Sequence, residues 1–342
     1  MPLCQSYNPP MILVLDDIMA LQFDRLIYPA HRKPARFVKL PESKTGFANK
    51  EADVWSYAPQ WITPSFLEIV GGKLGFLVFE KNALRRSKTH RGRIWSGSVP
   101  EGSFHDLGDG VYVPSVQFTF LLMASRLSLI QLVALGHELC GTYSFDDSKP
   151  RGMRKREVAL STLLELEEFI RLAGNLPGRR KAERALRYIS NGSASPMETR
   201  DKMQFCMPFM YGGYALGPHE FNYEVELDQQ ASRIARKSRC RIDHYWPTIG
   251  EGCEYQGEYD HLSPEKYSLD RSRINALRSM GYPIYEMTYK HVSDLDQFES
   301  IALMLAKKMH KQIPASCCGA TPERLSLRKE LMLWNEHSGR TW

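Results

Sequence analysis

The pattern of apolar and polar positions predicts helices and strands along most of the chain, most clearly in its second half. Apolar residues from Leu160 to Phe169 recur at the spacing of an amphipathic helix, whereas Phe221 to Leu227 alternates between apolar and polar residues, as a strand does. Two more strands are predicted, from about Arg239 to Trp246 and from about Cys253 to Gly257. Pro247 ends the first of these, because proline cannot donate a hydrogen bond to a neighbouring strand.

After residue 190 the predicted elements follow the order helix, strand, strand, strand, helix, strand, helix. The last three are a helix from Leu269 to Met280, a strand from Tyr282 to Tyr289 and a helix from Phe298 to Met309. This order is typical of a mixed sheet covered by helices, in the α/β or α+β class.

The chain is predicted to divide near residue 190, where Asn191-Gly192-Ser193 is a strong break in the pattern. Residues 1–190 are expected to form an N-terminal domain of mixed α+β structure that binds DNA or a partner protein. Residues 191–312 are expected to form the helix-covered sheet. Residues 313–342 are predicted to be a C-terminal tail, in which Leu325 to Trp334 is compatible with a helix.

The composition is that of an ordinary globular protein, and no membrane span is expected. The apolar run from Val116 to Leu135 contains Arg126 in its middle, so a buried helix or helix pair explains it better than a span. No signal peptide is evident, and the seven cysteines show no CxxC or zinc-ligand spacing, which indicates free thiols in a reducing cytoplasm. The net charge of +6 permits a polyanionic partner such as DNA without requiring one.

Candidate chemistry lies on the two central strands, whose layout can bring Asp243 and Glu254 to the same end of a sheet. Two such carboxylates suit Mg²⁺, which prefers one or two of them together with waters and phosphate oxygens. An ion held there could position a water and neutralise charge on a phosphodiester. Gln256 lies two residues after Glu254 and therefore points to the same face of its strand. The simpler alternative is that both acids are solvated surface residues.

Glu198 has two interpretations that the sequence leaves open. Ser195 fits a helix N-cap and Pro196 the first helical turn, so Glu198 would complete a capping box by returning to the backbone N–H of the cap. In the second interpretation, Glu198 also faces Asp243 and Glu254 and supplies a further carboxylate.

Five short motifs occur in a fixed order between residues 190 and 310. They are Ser195-Pro196-Met197-Glu198-Thr199, Gly212-Gly213-Tyr214, Asp243-x-Tyr245-Trp246-Pro247, Glu254-Tyr255 with His261, and Asp270-x-x-Arg273 followed by Gly281. This series resembles a group of actinobacterial proteins whose C-terminal domain is similar to very-short-patch-repair endonucleases, a branch of the PD-(D/E)XK nucleases. The N-terminal part is similar to relatives of the abortive-infection type IV antitoxin family.

The resemblance implies a fold, a metal and roles for individual residues. A PD-(D/E)XK core is expected, in which Asp243 and Glu254 bind Mg²⁺ or Mn²⁺, Glu198 and Gln256 support the site, and His261 handles protons. The family commonly has lysine where this chain has Gln256, and glutamine can orient a water but cannot act as a cation or a general base. DNA phosphates are expected to be contacted by four arginines: Arg239, Arg241, Arg271 and Arg273.

Three functions follow as alternatives. The first is a metal-dependent DNA endonuclease. The second is a non-catalytic DNA-binding regulator that keeps the nuclease fold as a scaffold, as an antitoxin-like repressor would, with a toxin or another protein as its partner. The third is an interaction module with no salt-sensitive affinity for DNA.

Overall fold

The computed structural model describes residues 12–27, 37–38, 55–56, 58–78, 87–95, 100–149, 151–256 and 264–337. His261, to which the resemblance assigns a proton-transfer role, lies outside the described residues.

The first part of the chain forms two small sheets with short helices. One sheet has the strand order β1-β6-β5-β2, and strands β3 and β4 form a separate parallel pair. The bounds are β1 (Leu13–Val14), α1 (Asp17–Leu26), β2 (Phe37–Val38), α2 (Pro64–Ile69), β3 (Leu74–Val78), β4 (His90–Ile94), β5 (Phe104–Gly108) and β6 (Val111–Pro114).

The next part is mostly helical. The apolar run that begins at Val116 folds as two helices separated by residues 124–128, and Ser128 caps the second helix with a full capping box. The bounds are α3 (Val116–Met123), α4 (Leu129–Leu139), the hairpin strands β7 (Tyr143–Phe145) and β8 (Met153–Lys155), α5 (Leu163–Leu172) and α6 (Arg179–Leu186). Among the described residues no helix is both long enough and apolar enough to cross a membrane.

The remaining elements build a four-stranded mixed sheet with the order β12-β11-β10-β9. Strands β9, β10 and β11 are antiparallel neighbours, and β12 lies parallel to β11. The bounds are α7 (Pro196–Cys206), β9 (Glu220–Glu226), α8 (Gln229–Ala235), β10 (Arg239–Trp246), β11 (Glu251–Gln256), α9 (Pro264–Ser279), β12 (Ile284–Thr288), α10 (Tyr289–Ser293), α11 (Leu295–Lys308) and α12 (Pro322–His337). The predicted mixed α and β class is confirmed.

Helices cover the four-stranded sheet on two sides because its strands present apolar residues to both. Trp246 and Cys253 pack with Phe205 of α7 and Phe298 of α11 in one cluster. A second cluster joins strand β10 to α8 and α9 through Ile242, Ala231, Ala235, Ile274 and Leu277. The sheet is therefore the middle layer of three.

The largest apolar core crosses residue 190. Met203 of α7, and Met207 directly after that helix, pack in the same cluster as the helices α3 to α6. Leu327 and Leu331 of α12 belong to that cluster too, and each is at most 2% exposed. The segment predicted as a tail thus contains a helix that packs into the core built by the first part of the chain.

Candidate functional site

The amino terminus of helix α7 positions Glu198. The Ser195 hydroxyl accepts a hydrogen bond from the Glu198 backbone N–H at 3.2 Å, as an N-cap does. The carboxylate, however, returns to the N–H of Ala194 at 2.8 Å rather than to that of the cap residue, and Asn222 donates to the same oxygen at 2.9 Å. The predicted capping box is therefore modified: Asn222, on strand β9, ties the carboxylate to the sheet. Glu198 is only 8% exposed.

Strands β10 and β11 bring Asp243 and Glu254 together. Because His244 pairs with Cys253 in this antiparallel ladder, the next residues on the two strands, Asp243 and Glu254, lie side by side. An oxygen of Asp243 accepts the backbone N–H of Tyr255 at 3.0 Å, and the nearby Asp243 contributes, after burial, to raising the pKa of Glu254.

Arg273, on helix α9, binds Glu254 through both of its terminal nitrogens. Nη1 lies 3.1 Å from Oε1 and Nη2 lies 2.8 Å from Oε2, while Nη1 also donates to the backbone oxygen of Arg241 at 2.8 Å. Glu254 is fully buried, so this bidentate pair is shielded from water. The prediction that Arg273 contacts DNA phosphate stays a prediction; in the structure its guanidinium binds one of the two central carboxylates.

Asp243 interacts with three other carboxyl groups, and the pKa of each of the four is raised. Burial, and then the charge of Asp243, raises the pKa of Glu198 to about 8. Burial also raises the pKa of Asp201 to about 7, with Arg200 opposing the rise and Asp243 adding to it. The pKa of Glu254 rises well above its ordinary value through burial and the nearby Asp243. Burial raises the pKa of Asp243 itself, against the opposing charge of Arg273.

Asp201 is the member of this cluster that sequence reasoning missed. Its side chain is fully buried, neither carboxylate oxygen has a hydrogen-bond partner, and Nε of Arg200 is 4.0 Å away. The signal that could have found it is spacing, since Asp201 lies three residues after Glu198 and so on the same side of the helix.

Gln256 lies at the end of strand β11, where it is half-buried and pairs in register with Thr288 of β12. It is two residues beyond Glu254 along the strand, as predicted from the sequence. The site thus has a neutral amide at this position.

Three of the four arginines predicted to contact DNA are exposed and paired with acids. Arg239 lies 3.0 Å from Glu224 and 3.0 Å from Glu226, and Arg241 lies 3.3 Å from Glu224. Arg271 pairs with Glu286 at 2.7 Å. Exposed ion pairs of this kind are weak, so such arginines can exchange a carboxylate for a phosphate at little cost.

Within the described residues, no three histidine, cysteine, aspartate or glutamate side chains are placed to bind one metal ion jointly. A metal ion at this site would therefore be coordinated by two carboxylates, those of Asp243 and Glu254, and waters or a phosphate would complete its coordination.

Comparisons of the chain with protein-family models, with curated proteins and with solved structures return no match.

Proposed function

We propose that this protein is a metal-dependent endonuclease that hydrolyses phosphodiester bonds in DNA. The observation that supports the proposal is the side-by-side placement of the Asp243 and Glu254 carboxyl groups on neighbouring strands, with the charge of Asp243 also acting on the buried Glu198. Buried carboxyl groups in mutual contact are costly to ionise unless a cation joins them. The arrangement is explained most simply if that cation is a divalent metal ion.

The donor set fits Mg²⁺ or Mn²⁺. Asp243 is half-buried and has one oxygen taken by the N–H of Tyr255, which leaves its other oxygen for an ion. Glu254 holds Arg273 with both oxygens, but each carboxylate oxygen has a second lone pair that can still bind a metal. When bound, the ion supplies a positioned water and neutralises negative charge on the phosphodiester.

The other residues keep this arrangement in place. Arg273 orients Glu254, and Asn222 together with the backbone of Ala194 orients Glu198. Gln256 is suited to hold a water by hydrogen bonding, since its amide both donates and accepts. We infer that the fold is a PD-(D/E)XK core. The inference rests on the order of its elements: helix α7, the antiparallel strands β9 to β11, helix α9 and the parallel strand β12.

DNA is the proposed substrate, and the cytoplasm the proposed location. The exposed arginines Arg239, Arg241 and Arg271 lie in the same domain as the carboxylate cluster and would contact phosphates without reading sequence. The six described cysteines are free thiols, which suits a reducing compartment.

The proposal is tested by incubating supercoiled plasmid with the protein in Mg²⁺ or Mn²⁺. Nicking by the wild type is expected to disappear in Asp243→Ala and to be suppressed by EDTA. Glu220→Ala, which removes an exposed acid of the neighbouring strand β9, is the matched control and should cleave normally. Absence of nicking by the wild type in both metals would overturn the proposal.

A second candidate function is a non-catalytic DNA-binding regulator, with a toxin or another protein as its partner. It is favoured by two observations: Glu254 is fully buried in a bidentate pair with Arg273, and Gln256 carries no charge. A salt-dependent affinity for a short DNA duplex, without cleavage in either metal, would support this function. Absence of DNA binding at low salt would exclude both candidates and leave an interaction module.

A further inference from the structure

We propose that a cavity between helix α7 and the segment 187–190, which follows helix α6, binds a phosphate monoester with an apolar ester group. The cavity has a volume of about 290 Å³, a size that suits a small molecule rather than a macromolecule. It is separate from the carboxylate cluster, since neither Asp243 nor Glu254 lines it. This binding site is additional to the proposed endonuclease site and does not depend on its activity.

The charged side chains at the cavity are positive. Lys202 of α7 and Arg187 both line it, and among the described residues no acidic side chain does so. An ammonium and a guanidinium are the side-chain groups with which proteins most often bind phosphate. Arg187 is exposed, whereas Lys202 is only 5% exposed, so the cavity leads from solvent to a buried lysine.

The ammonium group of Lys202 is buried among neutral groups. Nζ donates to the backbone oxygen of Tyr188 at 2.9 Å and to the hydroxyl of Ser190 at 2.7 Å, and it lies 3.5 Å from Nε2 of His137. Burial, and then the charge of Lys202, lowers the pKa of His137 well below its ordinary value, so that ring is neutral. Within the described residues, no carboxylate forms an ion pair with Lys202. A buried cation without a counter-charge is costly, and a bound anion offsets that cost.

Lys202 remains charged at neutral pH. Burial lowers its pKa to about 8, so the ammonium form predominates at pH 7. An anion in the cavity favours the charged form further, and anion binding and the charge of the lysine therefore reinforce each other.

Hydrogen-bond donors at the cavity match the terminal oxygens of a phosphate monoester. The Ser190 hydroxyl accepts from Lys202 and keeps its own hydrogen for an anion. The planar guanidinium of Arg187 can bind two phosphate oxygens at once. His219 also lines the cavity, and its buried Nδ1 has no hydrogen-bond partner among the described residues.

Much of the remaining lining is apolar. It includes the side chains of Ile189, Met203, Met207 and Pro218. An apolar wall favours a ligand that brings a hydrophobic group with its charge, because the burial of both surfaces removes apolar area from water. The ligand is therefore expected to be an organic phosphate rather than a free inorganic ion.

The test measures binding by isothermal titration calorimetry at pH 7 in EDTA, with phenyl phosphate, inorganic phosphate and benzoate as probes. Phenyl phosphate is expected to bind the wild type at one site, and more tightly than either other probe. Arg187→Ala and Lys202→Met should each weaken its binding by about 10-fold or more, the usual loss when one charged hydrogen-bond partner is removed. Arg184→Ala is the matched control, since Arg184 is exposed on the same helical segment and does not line the cavity; its affinity should equal that of the wild type.

Each other outcome is decisive. A wild type that binds neither phenyl phosphate nor inorganic phosphate overturns the proposal. Equal affinities of the wild type, Arg187→Ala and Lys202→Met also overturn it, because the phosphate would then bind elsewhere. If Lys202→Met does not fold, Arg187→Ala and Arg184→Ala decide between them: equal affinities for phenyl phosphate overturn the proposal. Benzoate that binds as tightly as phenyl phosphate overturns the assignment of a phosphate.

Discussion

Replacing Glu198 by glutamine should make the metal-free protein more stable at pH 8 while leaving its stability at pH 5 nearly unchanged. Glutamine has the shape of the protonated acid. Its oxygen can accept from Ala194 and Asn222, and its amide can donate to the Ser195 hydroxyl. The variant therefore keeps the hydrogen bonds and loses only the ability to ionise.

The magnitude follows from the raised pKa of Glu198, which burial and the charge of Asp243 move from 4.5 to about 8. Between these values the folded protein holds a proton that the unfolded chain has released. The stability from this group is thus fully present below pH 4.5 and is lost as the pH rises through 8. At about 1.4 kcal/mol per pH unit, the wild type should lose about 3–4 kcal/mol between pH 5 and pH 8 through Glu198 alone.

The assay is chemical denaturation followed by circular dichroism at pH 5, 6, 7 and 8, in EDTA, for the wild type and Glu198→Gln. As the pH rises, the free energy of unfolding should fall less steeply for the variant than for the wild type. The difference between the two slopes should correspond to close to one bound proton. Glu183→Gln serves as control because Glu183 lies on helix α6, in an exposed i,i+4 pair with Arg179. Parallel pH profiles for the wild type and Glu198→Gln would refute the reasoning, since Glu198 would then be ionised in the folded protein at neutral pH.

Three further predictions concern stability and DNA binding. Glu138→Gln should cost about 3–5 kcal/mol in denaturant unfolding, because it leaves the guanidinium of Arg25 buried without its carboxylate; a loss below about 1 kcal/mol would contradict this. Leu331→Ala should cost about 2–5 kcal/mol, since its side chain is 2% exposed in the core shared with α4; an unchanged melting temperature would show that α12 is not packed as described. The double variant Arg239→Ala/Arg241→Ala should bind a labelled DNA duplex more weakly, as measured by fluorescence anisotropy. The slope of log affinity against log salt concentration should also be smaller than in the wild type. An unchanged slope would show that DNA does not contact these two arginines.

Local chemistry made several elements predictable. The strand ending at Trp246 stops where Pro247 removes a backbone donor, as expected. The turn that follows contains Gly250 with a φ of +67°, a conformation for which glycine is favoured. The start of α7 was predictable from Ser195 and Pro196, whose capping preferences act within one helical turn.

The site was predictable only in part. Asp243 and Glu254 were singled out because strand order and turn length place them together, whichever way the helices pack. Asp201 looked like a solvated helix residue beside Arg200, and only the packing of α7 against the sheet buries it. Arg273 looked like a phosphate contact, and only the position of α9 shows that its guanidinium meets Glu254.

By itself, the sequence determined the strands and helices, the cap of α7 and the pairing of two acids on neighbouring strands, because these depend on residues close together in the chain. The tertiary structure decided which charges lie around those acids. Burial and electrostatic interaction depend on distances in space, and Arg273, on a helix that follows both strands in the chain, meets Glu254 only because that helix packs against the sheet.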